Sequence, residues 1–312
     1  MTLYTLQFLR FIAALLVLFF HLDLIHSGYK GVDIFFVISG FVMYYTLFSA
    51  ARPNAFKFIV NRSTKIFFLY WVALMVLYVI LPYKVDISSI KTFLLIPGHY
   101  AVLGVSWSLS YELYFYFLIG VIAYLLPSRF QYSVFFLLLA ASTFVTFIDL
   151  SSLSLKGSLL NFLLGPHLWE FLLGILSSFL SMRFYKTIPK TIILLVAIVS
   201  GLLLLAVNIT YEDPFSYVVY GIVSFSIVCF ITAYEKAVPV NKKLAGVFKI
   251  TGDASYAMYL FGPVITMVIP PDIGLSKSLV IITTITASIL FNQIVENNFL
   301  RWSRKFILNS IH

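Results

Sequence analysis

The sequence predicts an all-α polytopic membrane protein of about ten transmembrane helices, and three observations carry this prediction. Of the 312 residues, 61% are hydrophobic and only 11% are charged, whereas a soluble domain carries about 25% charged residues. Apolar runs of about 20 residues, the length that a spanning helix needs, recur along the chain. Lysine and arginine collect in alternate connections between these runs.

The apolar runs follow one another with short connections. Turn-rich segments separate them, including "HSGYKG", "PSR", "KTIPK", "YEDP" and "PPDIG". No basic residue precedes the first run and no cleavage site follows it, so we expect it to stay in the protein. Without a long linker or repeat, we expect one integral-membrane domain over residues 1–312, with no appended soluble domain. The predicted spans cover roughly 5–24, 32–51, 65–82, 102–126, 130–149, 158–181, 191–209, 215–234, 252–270 and 277–296.

The orientation follows from the basic residues in the connections. With the N-terminus in the cytoplasm, 15 lysines and arginines fall on the inner side, five fall on the outer side, and Arg10 lies inside the first span. The acidic segment 211–213 then lies outside, and both termini are cytoplasmic. The net charge of +9 therefore reflects topology, which excludes nucleic-acid binding. The five outer residues are Lys30, Lys84, Lys91, Lys156 and Lys277.

Two polar side chains stand out in the first span, "LRFIAALLVLFFHLD". Arg10 and His21 are eleven positions apart, so they leave the same helix face about 16 Å apart along the axis. A histidine beside a carboxylate is suited to act as a general base on a hydroxyl, although it could also only hydrogen-bond a neighbouring helix. Arg10 is suited to a phosphate group or to a role as an interfacial anchor.

Other ionisable residues also fall within predicted spans, where they are costly and usually functional. Asp33 begins the second span and Asp253 the ninth, and each could simply cap its helix. Glu112 follows Trp107 and Ser110 in "WSLSYELYFYF". This topology places His21, Asp33 and Glu112 in the outer half, while His167 and Glu170 lie nearer the middle of the membrane. Arg62 and Lys65 lie at the inner mouth of the third span.

The sequence shows no pattern typical of a disulfide, a metal site or a phosphate-binding loop. The single cysteine, Cys229, excludes an intrachain disulfide and fits a buried apolar position. We find neither metal-ligand spacing nor a glycine-rich phosphate loop. We therefore expect no metal site and no permanently bound cofactor.

The chain resembles the integral-membrane acyltransferase 3 family, bacterial enzymes that decorate cell-surface and secreted polysaccharides such as O-antigen or exopolysaccharide with acyl groups. The resemblance covers almost the whole chain, with seven motifs in the same order. The arginine and histidine of the first motif, which the family spaces by ten residues, are here Arg10 and His21. The motifs are "LRFIAALLVLFFH", "GYKGVDIFFVISGFVM", "NRSTKIFFLYW", "WSLSYELYFY", "WEFLLGIL", "GDASYAMYLFGP" and "VEN".

The resemblance implies a multi-pass protein of the bacterial inner membrane that transfers an acyl group, most often acetyl, from acetyl-CoA or another acyl-CoA. The acceptor it implies is a hydroxyl of a glycan or of a polyprenyl-linked oligosaccharide; no oligomeric state follows. We assign catalysis to His21, with Glu112 and Asp33 orienting it or binding the acceptor. We assign the acyl-CoA donor to Arg10, Arg62 and Lys65, and the acceptor to Trp107, Ser110 and Glu170.

Two departures from the family pattern matter. Gly262 stands where the ninth-span motif commonly has a histidine, and Phe68 replaces a proline of the basic third motif. The missing histidine keeps a non-catalytic scaffold open as an alternative. A second alternative is a transporter or flippase of a lipid-linked glycan or small organic acid, although the paired repeats common in transporters are not visible here. Direct transfer and an acyl-enzyme intermediate also remain open.

Overall fold

The computed structural model describes residues 3–47, 54–85, 90–97, 103–150, 159–207, 209, 215–269 and 276–310. Within these ranges the chain forms helices and no β-strand, which confirms the all-α prediction. A π-helical turn at Asn292–Glu296 joins the last two helices. The helices are α1 (Tyr4–His21), α2 (Gly31–Leu47), α3 (Ala55–Ile80), α4 (Ile90–Phe93), α5 (Ser106–Leu125), α6 (Ser128–Leu150), α7 (Leu159–Leu164), α8 (Pro166–Thr187), α9 (Lys190–Ala206), α10 (Phe215–Ala237), α11 (Lys242–Val268), α12 (Ser276–Phe291) and α13 (Asn297–Ser310).

Each of the ten predicted spans corresponds to a helix of the structure. Among the described residues, eight segments are long and apolar enough to cross a membrane. Of the other two predicted spans, one is α9, an apolar helix of 17 residues. The other lies in the C-terminal part of α11, a helix of 27 residues whose first turn is basic. The chain is therefore a multi-pass α-helical membrane protein.

The third span begins earlier than the sequence predicts. Its helix, α3, starts at Ala55 rather than near Lys65. Asn54 caps it, because its side-chain oxygen accepts a hydrogen bond from the backbone N–H of Phe56 at 2.9 Å. Arg62 and Lys65, predicted at the inner mouth of this span, consequently lie inside the helix.

The helix of the ninth span also begins earlier. α11 starts at Lys242, and its cap is Asn241, which accepts a hydrogen bond from the backbone N–H of Lys243 at 3.0 Å. The capping role considered for Asp253 is therefore wrong. Asp253 lies in the interior of the helix, 3.7 Å from Lys249.

Two tightly packed helix pairs run parallel. In α2 and α8, the ring of Phe36 lies 5.0 Å from that of His167. Four residues further along each helix, a Cβ on Gly40 would lie 1.9 Å from the carbonyl oxygen of Phe171. Only glycine permits such a close approach of two helices, as is common in membrane proteins. The second and sixth spans therefore cross in the same direction.

Helices α1 and α11 also run parallel and pack closely at glycine residues. A Cβ on Gly252 would lie 2.5 Å from Gln7, and one on Gly262 would lie 3.2 Å from Leu18. The first and ninth spans are thus parallel, as an alternating ten-span topology requires. Which end of the bundle faces the cytoplasm remains a prediction from the distribution of basic residues.

The start of α1 is anchored by a carboxylate from α10. Glu235 accepts hydrogen bonds from the backbone N–H groups of Tyr4 at 2.8 Å and Thr5 at 2.9 Å. Its second oxygen also accepts from the hydroxyl of Thr5 at 2.6 Å. A carboxylate at a helix N-terminus satisfies otherwise unpaired N–H groups and interacts favourably with the helix dipole. This contact fixes the helix that carries Arg10 and His21.

One of the predicted outer-loop lysines is a buried structural residue. Lys30 is fully buried and donates to the carbonyl oxygens of Leu204, at 2.9 Å, and Val207. These carbonyls are at the end of α9, where a cation is favourable. The acidic segment 211–213, predicted to follow on the same side, lies outside the described residues.

Candidate functional site

A narrow cavity of about 40 Å³ opens between α1, α2, α3, α5 and α11. Its walls combine aromatic and aliphatic side chains with a few polar groups. This combination is typical of small-molecule sites, in which few polar groups orient the ligand. The polar and tyrosine side chains that line it are Arg10, Ser39, Arg62, Ser108, Glu112, Tyr116, Tyr256 and Tyr259.

Glu112 is held in the cavity by two hydroxyl groups. Tyr116, one turn further along α5, donates to its carboxylate, and Ser39 of α2 donates at 3.3 Å. The sequence pointed to Glu112 but not to these partners. The i, i+4 spacing of Glu112 and Tyr116 was the available signal.

Two arginines line the same cavity, and neither has an anionic partner among the described residues. Neither Arg10 nor Arg62 forms an ion pair or hydrogen bond with a described residue. Arg62 lies over the rings of Phe58, at 5.4 Å, and Tyr116, at 5.8 Å. Cations at membrane depth are costly unless they are paired or face a polar path. The arrangement is therefore suited to an anionic ligand.

A second, wider cavity of about 530 Å³ adjoins the first, since Arg10, Val42 and Arg62 line both. It adds Lys57 and Lys65 from the first turns of α3. We call the two adjoining cavities the passage; four basic and two acidic side chains line its wide end. These are Arg10, Lys57, Arg62 and Lys65, and Asp253 and Glu296. On the predicted topology, that wide end faces the cytoplasm.

The π-helical turn forms part of the wide end. Lys65 forms an ion pair with Glu296 at 2.8 Å. Asn292 donates to Glu296 at 2.8 Å and to the backbone oxygen of Asp253 at 3.1 Å. Such π-turns often occur at functional sites. Lys65, predicted as a donor-binding residue, therefore lines the passage with its charge already balanced.

His21 lies apart from both cavities. It is the last residue of α1, about 16 Å beyond Arg10 along the helix axis. The half-buried imidazole forms no ion pair or hydrogen bond with a described residue. It contacts the ring of Phe20 at 5.5 Å, and the carboxylate that interacts with it electrostatically is Asp23. The structure does not bring Glu112 or Asp33 to His21.

Asp33 instead belongs to a buried polar cluster with α8. It lies in the first turn of α2, where the helix dipole favours a carboxylate. Its side chain interacts with that of Glu170, and Glu170 lies 3.4 Å from the Nδ1 atom of His167. Glu170 is fully buried, so the predicted acceptor-binding residue faces this cluster rather than the cavity.

The other two residues predicted to bind the acceptor lie in the first turns of α5. Trp107 packs against Phe36, at 6.0 Å, and His167, at 5.0 Å, so its ring covers the buried cluster. Ser110 is buried and donates to the backbone oxygen of Leu95 at 2.7 Å. Neither side chain lines the described cavities.

Several polar groups of the passage were not predicted from the sequence. Ser39 lies within the quoted "VISGF" and Tyr256 within "GDASYAMYLFGP", yet neither is ionisable near neutral pH and neither was singled out. Glu296 lies within the quoted "VEN" but was given no role at the site. Asn292 enters only through the π-helical turn, which a sequence pattern does not reveal. Among the described residues, no group of three or more histidine, cysteine or acidic side chains is arranged to hold a metal ion.

One protein family matches the chain. No curated protein and no solved structure matches the chain. The family model described as an acyltransferase domain matches residues 3–294, which include α1, α2, α3, α5 and α11, the helices around the narrow cavity. The match confirms the resemblance seen in the sequence motifs, and the chain therefore belongs to the acyltransferase 3 family of membrane acyltransferases.

Proposed function

We propose that this membrane acyltransferase moves an acyl group, most simply acetyl, from a cytoplasmic acyl-CoA to a hydroxyl of a cell-surface or secreted glycan or its lipid-linked precursor. The protein would lie in the bacterial inner membrane. The observation that carries the proposal is the pair Arg10 and Arg62, two cations without a described anionic partner in a passage with a basic wide end.

The donor's phosphates would bind at this wide end. Guanidinium groups form strong, geometrically specific hydrogen bonds with phosphate oxygens. Lys57 adds a further cation at the same end. From there the donor's flexible arm would extend past Arg10 toward His21, a distance of about 16 Å along α1.

The acyl group would be transferred near the outer end of α1. His21 takes the proton of the acceptor hydroxyl, and the hydroxyl oxygen bonds to the acyl carbon. The carbon–sulfur bond breaks, and the proton passes to the leaving thiolate. A transient acyl-histidine, resolved by the hydroxyl, is the second route that the same residues support.

The test is the acylation of the host's surface and secreted glycans. A deletion strain is complemented with wild type, His21→Ala or His26→Ala, and the glycan is analysed by NMR and mass spectrometry. His26 is the matched control, because it is exposed and outside both cavities. The proposal predicts normal glycan without ester in the deletion and in His21→Ala, and restored ester in His26→Ala.

Two results would contradict the proposal. If His21→Ala restores the ester fully, His21 is not the catalytic base. If the deletion removes the glycan itself, the protein exports the glycan or its precursor, as a transporter would.

A further inference from the structure

Tyr256 lines the narrow cavity, and its buried hydroxyl has no hydrogen-bond partner in the described part of the chain. Tyr256 is only 7% exposed and lines the cavity together with Arg10 and Glu112. Among the described residues its hydroxyl has no hydrogen-bond partner. Leaving such a group unpaired is unfavourable, so a bound molecule that pairs with it gains free energy.

The other two tyrosines of the cavity differ in this respect. Tyr259 shares a hydrogen bond of 2.7 Å with Ser108 and also donates to the backbone oxygen of Val105 at 3.2 Å. Tyr116 donates to Glu112. Their hydroxyls are already used within the protein, whereas that of Tyr256 is available to a ligand.

The packing of α1 against α11 gives the level of Tyr256 in the membrane. Gly252 faces Gln7, and Tyr256 lies four residues further along a parallel helix, which is a rise of about 6 Å. Tyr256 is therefore level with Arg10 and its neighbour Phe11. His21 lies about 15 Å beyond this level. If the acyl group reacts at His21, Tyr256 does not reach the acyl carbon.

The part of the acyl-CoA donor that would lie at the level of Tyr256 follows from the donor's chemistry. The phosphates carry charge and fit Arg62 and Lys57 at the wide end, while the thioester must reach His21 past Arg10. Between them an acyl-CoA has a pantetheine arm with two amide groups, which are uncharged and suited to a neutral hydroxyl. The amide nearer the phosphates is the one closer to Tyr256.

Resting on the function proposed above, we propose that the Tyr256 hydroxyl hydrogen-bonds the pantetheine amide nearer the phosphates of the acyl-CoA donor. Tyr256 is then a positioning residue. It holds the arm beside Arg10, so that the thioester is directed to the outer end of α1. Its contribution is to donor binding and not to the chemical step.

The test compares purified full-length wild type with Tyr256→Phe and Tyr70→Phe. The Tyr70 hydroxyl donates to the backbone oxygen of Thr92 at 2.6 Å, away from both cavities. Steady-state kinetics are measured with acetyl-CoA and with acetyl-N-acetylcysteamine, a truncated donor that lacks the phosphates and the amide nearer to them. Thermal unfolding is recorded for each variant to verify folding.

For Tyr256→Phe we expect KM for acetyl-CoA to rise about five- to tenfold, with kcat unchanged, because one ligand hydrogen bond is lost. The two proteins should not differ with the truncated donor. Tyr70→Phe should keep the wild-type KM for acetyl-CoA.

The inference is overturned if Tyr256→Phe leaves KM for acetyl-CoA unchanged, lowers only kcat, or is impaired equally with both donors. These failures leave the proposed function standing, since wild type still uses acetyl-CoA. If wild type transfers acyl groups from no acyl-CoA, the proposed function fails, and the inference fails with it.

Discussion

Lys65 and Glu296 form an ion pair of 2.8 Å between α3 and the π-helical turn that precedes α13. The carboxylate is fully buried, whereas the lysine side chain is 22% exposed toward the wide end of the passage. Asn292 supports the pair by donating to the other carboxylate oxygen at 2.8 Å. The pair holds the third span to the C-terminal helices at the point where the passage is widest.

Glu296→Gln should destabilise the protein by about 2 kcal/mol. The substitution leaves Lys65 without its anion in a largely buried position, and removing one partner of such a pair costs more than the pair itself contributes. Thermal unfolding of the purified protein in detergent measures the effect. Lys249→Gln, which breaks the exposed pair with Asp253, is the control and should change little. Equal unfolding temperatures for both variants would show that Glu296 is not structural.

Gly174→Ala should lower the stability of the protein by about 3 kcal/mol, which is more than Glu296→Gln does. A Cβ at this position of α8 would lie 2.0 Å from the backbone oxygen of Val37, so α2 and α8 have to separate. Gly201→Ala in α9 is the control, because nothing lies within 4 Å of its added Cβ. Alanine there should even stabilise the helix slightly. A folded Gly174→Ala protein with wild-type stability would contradict the close packing of these helices.

The fold was predictable because long apolar runs dominate the sequence, and each predicted span corresponds to a helix. The start of α3 was not predictable in the same way. Lys57, Arg62 and Lys65 interrupt its first half and look like the boundary of a span. The structure accommodates them inside the helix because they line a passage or pair with Glu296, and both reasons depend on distant residues.

The carboxylates of the candidate site were predictable from the sequence, but their partners were not. The sequence placed Asp33 and Glu112 together in the outer half, yet Asp33 interacts with Glu170 while Glu112 bonds to Ser39 and Tyr116. Spacing along one helix fixes which face a residue occupies. It does not specify which neighbouring helix that face meets, and that choice decides the partner of each carboxylate.

Glu235→Gln should loosen the start of α1 and destabilise the protein by about 1–2 kcal/mol. The neutral amide loses the interaction with the helix dipole and accepts fewer of the three hydrogen bonds from Tyr4 and Thr5. Hydrogen exchange of the first turn of α1 is the direct measurement and should become faster. Thr5→Val removes only the hydroxyl bond and should have a smaller effect. Unchanged exchange in Glu235→Gln would show that α10 does not anchor α1.

Arg62→Gln should raise KM for acyl-CoA at least tenfold with little change in kcat. A guanidinium that bonds a phosphate contributes about 1.5–3 kcal/mol, and glutamine retains the side-chain polarity without the charge. The KM of Arg62→Lys should lie between those of wild type and Arg62→Gln, because lysine keeps the charge but lacks the planar guanidinium group. Arg183→Gln is the matched control: Arg183 also lies over a ring, that of Phe179 at 5.1 Å, but outside both cavities. If Arg62→Gln and Arg183→Gln bind the donor equally well, the phosphates do not bind at Arg62, and its contacts with Phe58 and Tyr116 are structural.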